Sequence, residues 1–175
     1  MTFDRQPNLI GELVSIRPLQ ESDLEALYAV ACDPMLWEQH PARDRYKRSV
    51  FEVLFQESLA SGGALLVSDT ASGNAIGSSR YHGYNESASE IEIGWTFLRR
   101  THWGGRYNGE LKQLMLRHAF RFVSSVVFLV GPNNTRSQRA VERIGATRDG
   151  VRVDGTGFES YLYRINANAF RDSRP

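Results

Sequence analysis

The chain has 175 residues, 41% of them hydrophobic and 23% charged, with a formal net charge of +1. That length suits one domain, and the near-neutral charge gives no electrostatic case for nucleic acid or a membrane surface. Cys32 is the only cysteine, so no intrachain disulfide can form and a reducing cytoplasm is expected; the first residues lack an apolar signal core, and no apolar run approaches the ~20 residues of a membrane span.

Residues 13–17 alternate before Pro18 and predict an opening strand. Ser22 and Glu25 have capping-box spacing, which predicts a helix start with Leu24, Leu27, Tyr28 and Ala31 on one face and an end near Asp33-Pro34. Residues 35–45 read as a loop that carries Trp37, either as a wall of a binding site or as an aromatic plugging the core edge. A helix over 49–59 follows, with Val50, Phe51, Val53, Leu54 and Phe55 on a wide apolar side, closed by Gly62-Gly63. Next come strands over 64–69, 75–84 and 89–98, separated by a turn at 70–74 and a hairpin loop at 85–88. In the last of these strands, strict alternation puts Ile91, Ile93, Trp95 and Phe97 on one face and Glu90, Glu92 and Thr96 on the other. Gly94 is a candidate bulge, since a mid-strand glycine often marks one.

Trp103-Gly104-Gly105-Arg106-Tyr107-Asn108-Gly109-Glu110 then opens a periodic helix over 111–123. A glycine-rich turn at a helix N-terminus presents unpaired N–H groups at the positive end of a dipole and can hold a phosphate, or it can be only a tight turn. It is not the Gly-x-Gly-x-x-Gly dinucleotide fingerprint. In the helix, Leu111, Leu114, Met115, His118 and Phe122 form the apolar stripe, which makes His118 a core histidine, while Lys112, Gln113, Arg117 and Arg121 lie mostly opposite. A strand over 126–131 leads to Asn134 and a short helix closed by Gly145, with Ser137, Ala140, Val141 and Ile144 on one face and Arg136, Arg139 and Arg143 elsewhere. Ser137 there faces the sheet or caps its own helix. Strands over 147–154 and 158–165 close the chain through Gly155-Thr156-Gly157, and a polar tail over 166–175 is expected to fray.

Glu92, Gly94 and Trp95, then Trp103, Gly104 and Glu110, then Asn134, Ser137 and Gly145 together resemble the core of the GNAT acetyltransferases, most nearly the ribosomal-protein N-terminal (RimJ/RimL) type. The resemblance spans Glu90 to Ala146, with two departures: Arg106 replaces a second turn glycine, and Asn108 a small residue. It implies an α/β (α+β) fold over 1–175, a single GNAT-like domain: a mixed, mostly antiparallel twisted sheet with a central bulged strand and helices on both faces.

The implied reaction is direct transfer of an acetyl group from acetyl-CoA, as co-substrate and without a metal, to a primary amine on a peptide N-terminus or small molecule. The implied catalytic residues are Glu92 as base and Ser137 as acid, because Val141 stands where many relatives have a tyrosine. Cofactor contacts fall on Trp95, Thr96, Phe97 and Leu98 for the pantetheine, on Trp103, Gly104, Gly105, Arg106, Tyr107, Asn108 and Gly109 for the pyrophosphate, and on Asn134 and Ser137. Arg99, Arg100 and Arg106 could meet the nucleotide phosphates, and Trp37, Tyr81 and Glu92 would border the acceptor. Acceptor specificity is expected from the loops at 35–45, 81–88 and 155–158. A homodimer is compatible with the resemblance. Two other readings stay open: a non-catalytic acyl-CoA sensor or partner module, and an unrelated phosphate-binding or hydrolase domain, against which the missing Walker Lys-Ser/Thr pair and metal cluster count.

Overall fold

The computed structural model describes residues 2–170. Eight strands form one sheet in the order β1-β2-β3-β4-β5-β6-β8-β7. They are β1 Leu9–Ile10, β2 Val14–Pro18, β3 Ala64–Asp69, β4 Ala75–Asn85, β5 Glu90–Leu98, β6 Ser125–Val130, β7 Thr147–Val153 and β8 Glu159–Asn166. Only β5 and β6 run parallel; every other pair is antiparallel. Four α-helices cover the faces: α1 Leu24–Ala31, α2 Arg48–Ala60, α3 Arg106–Ala119 and α4 Thr135–Arg143.

The sheet separates two apolar clusters. On one face Val14, Ile16, Ile91, Ile93, Val126 and Phe128 pack with Leu111, Met115 and Val141 of α3 and α4. On the other, Leu66, Trp95 and Phe97 pack with Leu27, Phe51 and Phe55 of α1 and α2. The α3 face is tied to the N-terminal segment by long-range side-chain bonds. The Glu110 carboxylate accepts the backbone N–H groups of Glu12, Leu13 and Val14 at 2.9, 2.7 and 2.7 Å. Gly11 makes room for it, since a Cβ there would lie 2.5 Å from Glu110 Oε2. His118 is 4% exposed and its Nε2 meets the Asp4 carbonyl at 2.7 Å, so it is a core histidine as expected.

Several local expectations change. The first helix is entered through a 3₁₀ turn, Glu21–Asp23, in which Asp23, not Glu25, reaches back to a cap N–H, that of Gln20. Asp23 can do this because Arg17 neutralises it in a two-bond ion pair; Glu25 instead pairs with Arg48. Val53 is 59% exposed, not part of the buried side of α2. Helix α3 starts at Arg106, five residues before the first apolar residue of its stripe, so Asn108, Gly109 and Glu110 are helical. In the expected tail, Phe170 packs against Phe120 with ring centroids 5.3 Å apart, and 171–175 lies outside the described residues.

The largest change is in β5. Cross-strand partners run Arg80↔Gly94 and then Ser78↔Phe97, so β5 carries one extra residue there. Trp95 absorbs it with a left-handed φ of +51°, a conformation uncommon for any non-glycine residue. An extra residue reverses the alternation beyond it. Trp95 and Phe97 therefore join Glu92 on the α1–α2 face, and Thr96 joins Ile91 and Ile93 on the α3 face, the opposite of strict alternation.

Candidate active site

Beside the bulge, the one parallel pair opens. The register of β5 and β6 runs only Glu90↔Ser125, Ile91↔Val126 and Glu92↔Val127. Beyond it, β5 stays paired to β4 and β6 to β8, so the facing edges of residues 95–98 and 128–130 lack each other as strand partners. The result is a wedge between the strands. Backbone polar groups left at such an edge can pair with an extended ligand. Leu98 is partly used, because its carbonyl accepts the Trp103 indole N–H at 2.9 Å.

At the mouth of the wedge, Gly104 and Gly105 both have φ of +105°, and a Gly104 Cβ would meet nothing within 4 Å. Gly105 is the N-cap of α3 and accepts the Gly109 N–H, leaving the amides of Arg106, Tyr107 and Asn108 without intrahelical partners. Positive φ, open space and three free N–H groups at a 14-residue helix fit a bulky phosphate. Helix α4 leans over this turn. The Arg136 guanidinium lies 3.9 Å above the Trp103 ring, and Arg143 Nη1 comes within 3.7 Å of where a Gly105 Cβ would be. Arg143, which the sequence placed only as pointing away from the sheet, thus stands at the turn beside the exposed Arg106. Arg100 is engaged in an ion pair with Asp33. Tyr107 turns its hydroxyl toward Asp69 at 3.4 Å, which leaves its backbone N–H as its contribution.

Asn134 caps α4 by accepting the Ser137 N–H at 3.2 Å. The cap is therefore Asn134, and the Ser137 hydroxyl is not consumed in capping. The loop before α2 is tied in as well: Gln39 Oε1 accepts the Arg136 N–H and the Thr135 hydroxyl at 3.1 and 3.3 Å. Pro41 and Phe158 both pack near Gly131, so the loops at 35–45 and 155–158 meet at the C-terminal end of β6. The third expected loop, 81–88, does not. Residues 81–85 belong to β4, and the turn that follows lies at the opposite end, where Ser89 contacts Ser124.

On the α1–α2 face Glu92 is 8% exposed, and burial raises its carboxyl from the ordinary 4.5 to about 7, with Arg152 and Arg80 opposing the shift and Glu90 adding to it. Glu90 is not an equivalent: Arg164 and Arg152 both pair with it.

Two expected acceptor contacts are corrected. Tyr81 is fully buried on the α3 face, where its hydroxyl donates to the Met115 carbonyl at 2.6 Å, because strand alternation turns it away from its neighbours Arg80 and His82. Trp37 is 3% exposed, bonded through its indole to the Ala31 carbonyl at 2.8 Å and packed on Phe97 at 5.1 Å, so it plugs the core edge instead of forming an open wall.

The sequence also missed Lys112. It is 4% exposed, donates to Thr96 Oγ1, which bonds Ser79 at 2.8 Å, and has the Phe128 ring 5.5 Å away. With no carboxylate partner among the described residues, burial lowers its amine from the ordinary 10.5 to about 7. No group of three or more metal-ligating side chains occurs among the described residues, and no described helix is long and apolar enough to cross a membrane.

Comparison with known proteins completes the picture. The family model for the acetyltransferase (GNAT) domain matches residues 14–147. No curated protein sequence matches the chain. Among solved structures, a GNAT-family acetyltransferase of Bacillus anthracis aligns over 91% of this chain and 98% of its own, with a TM-score of 0.75 at 20% identity. RimJ of Mycobacterium smegmatis, in complex with CoA-disulfide, aligns over 95% and 91%, with a TM-score of 0.74 at 18% identity. Spermidine N-acetyltransferase of Vibrio cholerae, with CoA and spermine, aligns over 91% and 98%, with a TM-score of 0.69 at 15% identity. The chain belongs to the GNAT acetyltransferase family, and its activity is acetyl transfer from acetyl-CoA to an amine.

Proposed function

We propose that this GNAT acetyltransferase acetylates an α-amine or an amine of similar basicity by direct transfer through the wedge, as a single-domain cytoplasmic enzyme of the RimJ/RimL type. The observation that carries the reading is Glu92: a buried carboxyl poised near neutrality on the acceptor side of the gap between β5 and β6. A general base works best when its pKa lies near the operating pH.

In this reading Glu92 takes the proton of the acceptor ammonium, directly or through water. The freed nitrogen attacks the thioester carbonyl, and as the amide forms and the carbon–sulfur bond breaks, the nitrogen gives up its second proton, by way of water or the Ser137 hydroxyl, to the leaving sulfur. Ser137 donates toward the leaving sulfur, whose thiol has a pKa near ~8.5 and so needs little help at neutral pH. The N–H groups of Arg106, Tyr107 and Asn108 bind the pyrophosphate, and the free edge of residues 95–98 pairs with the pantetheine. Arg106 and Arg143 supply charge to the nucleotide phosphates. Acetyl-CoA, when bound, supplies the activated acyl group; the chain supplies alignment, the base and the anion cradle.

The α-amine preference follows from basicity. A peptide α-amine near 7.7–8.0 is partly neutral at pH 7.5, whereas a lysine-like amine near ~10.4 is protonated by roughly three powers of ten. A base near 7 suits the first better. The test is a thiol-release assay with acetyl-CoA and a panel of peptides, amino acids, amino sugars and polyamines. Release of free CoA with an α-amine supports the reading. Acetyl-CoA binding without release on any amine would instead leave a binding module.

A further inference from the structure

Arg80 and Arg45 are placed differently from the paired arginines. Arg17, Arg48, Arg100 and Arg164 each hold a carboxylate. Arg80 is 5% exposed, yet neither it nor Arg45 has a carboxylate within ion-pair distance among the described residues. Arg80 Nη2 donates to the Ser58 hydroxyl, a neutral acceptor already donating to the Leu54 carbonyl, and Arg80 Nε is buried with no partner at all. Its guanidinium lies 4.2 Å over the Trp95 ring, held there by the bulge.

Arg45 is no better satisfied. Its polar neighbour is His40 Nε2 at 3.2 Å, but His40 Nδ1 already accepts the Ala42 N–H. Burial drops His40 to about 4, so the ring is neutral and carries its single proton on Nε2, which therefore cannot accept. Both guanidiniums line one narrow, partly open cavity of about 10 Å³, room for about one water until Arg45 gives way. Burial disfavours the charge on each, and Arg45 further disfavours that of Arg80. The acids that offset this, Glu57 and Glu92 for Arg80 and Glu57 and Asp44 for Arg45, act from beyond ion-pair distance. Arg45 also borders an open groove of about 320 Å³ with Ala42, Val50 and Val53, so it separates solvent from Arg80. Arg80 pairs with Gly94 and His82 with Glu92, which sets Arg80 one diagonal step from the base on the same face.

We propose that the acceptor is a primary amine that also carries a carboxylate, and that Arg80, reached past Arg45, receives that carboxylate while Glu92 faces the amine. This rests on the acetyl-transfer reading above. A carboxylate is the acceptor that buried guanidinium N–H groups lack, and it matches their fork geometry. A polyamine would bring positive charge against two unpaired cations and is disfavoured. The carboxylate could belong to a free amino acid or to an acidic side chain at a peptide N-terminus.

The test is calorimetric titration of the CoA-loaded protein. One arm uses L-glutamate against its diamide. The other uses the C-terminally amidated peptides Glu-Ala-Ala and Gln-Ala-Ala, with spermidine as the cationic control. In at least one arm the acid should bind at least tenfold more tightly than its amide. Arg80→Gln should remove the preference, Arg80→Lys should keep part of it, and Arg45→Gln, at a partly buried position, should reduce it about threefold or more. CoA affinity of each variant checks folding, and Arg45→Gln carries the test if Arg80→Gln does not fold. No preference for the acid in either arm, tighter binding of spermidine, or a preference that survives both Arg→Gln variants would overturn the proposal. Thiol release with the same probes separates the two readings. A carboxylate preference in binding with no release on any probe retains the anion site and defeats acetyl transfer; release with no acid preference does the reverse.

Discussion

Glu92 and Lys112 are buried on opposite sides of the same bulged strand, and burial brings both to about 7 from opposite directions. Their surroundings differ. Around α3 most of the other polar groups have found partners: Tyr81 on the Met115 carbonyl, His118 on that of Asp4, Glu110 on three N–H groups, with the Gln113 side-chain carbonyl the exception. Lys112 sits in that closed environment, bonded to a hydroxyl that has a second bond of its own. On the α1–α2 face Glu92 has Arg80 and Arg152 in its field without a direct ion pair, beside an arginine with an orphaned N–H. The α3 side has tied most of its polar groups into hydrogen bonds, Lys112 included; the α1–α2 face has left a buried guanidinium N–H and a carboxyl without partners for something else to complete. Folding tolerates uncompensated buried groups at a cost of a few kcal/mol each, so an arginine short of partners one diagonal step from a buried carboxyl points to where the ligand chemistry lies.

The two groups also act on stability with opposite pH slopes. The native state holds the Glu92 proton between about 4.5 and 7 while the unfolded chain has lost it, so this group makes stability fall as pH rises through that window. Lys112 is deprotonated in the native state between about 7 and 10.5 while the unfolded chain is still charged, so it makes stability rise through the higher window. The Glu92 cost is therefore full above about 7 and the Lys112 cost full below about 7, so their sum peaks near neutrality. Lys112→Met should therefore give the largest effect, a gain of about 4 kcal/mol near pH 7 before the lost Thr96 bond is subtracted, which shrinks toward pH 10; denaturant titration at both pH values measures it. A loss at pH 7 would mean that Lys112 has a partner that offsets its burial.

Glu92→Gln should stabilise as well, by about 3 kcal/mol at pH 8 and by little at pH 4.5, while lowering kcat. Stability gained together with activity lost would mark Glu92 as functional, in contrast to Lys112→Met, whose stability gain carries no loss of the base. Denaturant titration with turnover at pH 8 reads both. Next in size, Gly104→Val should weaken acetyl-CoA binding about a hundredfold, roughly 2.7 kcal/mol, because a branched Cβ strains φ of +105° and fills the open space above the turn. Ser137→Ala should leave that affinity nearly intact and cost about tenfold to a hundredfold in kcat. Equal affinities for Gly104→Val and the unaltered protein would put the phosphates elsewhere.

The order of elements and the turn before α3 were legible in the sequence because glycines, capping residues and apolar periodicity are local signals. What was not legible traces largely to one residue. Trp95 takes a positive φ that glycine would be expected to take, and every side chain after it changes face. That is why Phe97 and Thr96 were placed on the wrong sides. Lys112 was missed for a different reason: a helix packed broadly on a sheet buries residues beside its apolar stripe, and nothing in a lysine code letter shows whether its ammonium reaches water. Arg100 and Tyr81 were assigned to ligands because their own partners, Asp33 and the Met115 carbonyl, are distant in sequence. The Arg80–Arg45 pair gave no motif at all; it becomes visible only when the carboxylates around it are looked for in space.

The most direct test of the central claim is the pH dependence of kcat for thiol release, measured with one α-amine acceptor for the unaltered enzyme and for Glu92→Gln. Glu92 as the base predicts a limb of unit slope below a midpoint near 7 in the unaltered enzyme, and its absence in Glu92→Gln, whose deficit of about tenfold to a hundredfold near pH 7.5 should be largely recovered by pH ~9. Identical profiles for the two proteins would contradict the account and remove Glu92 from the proton transfer.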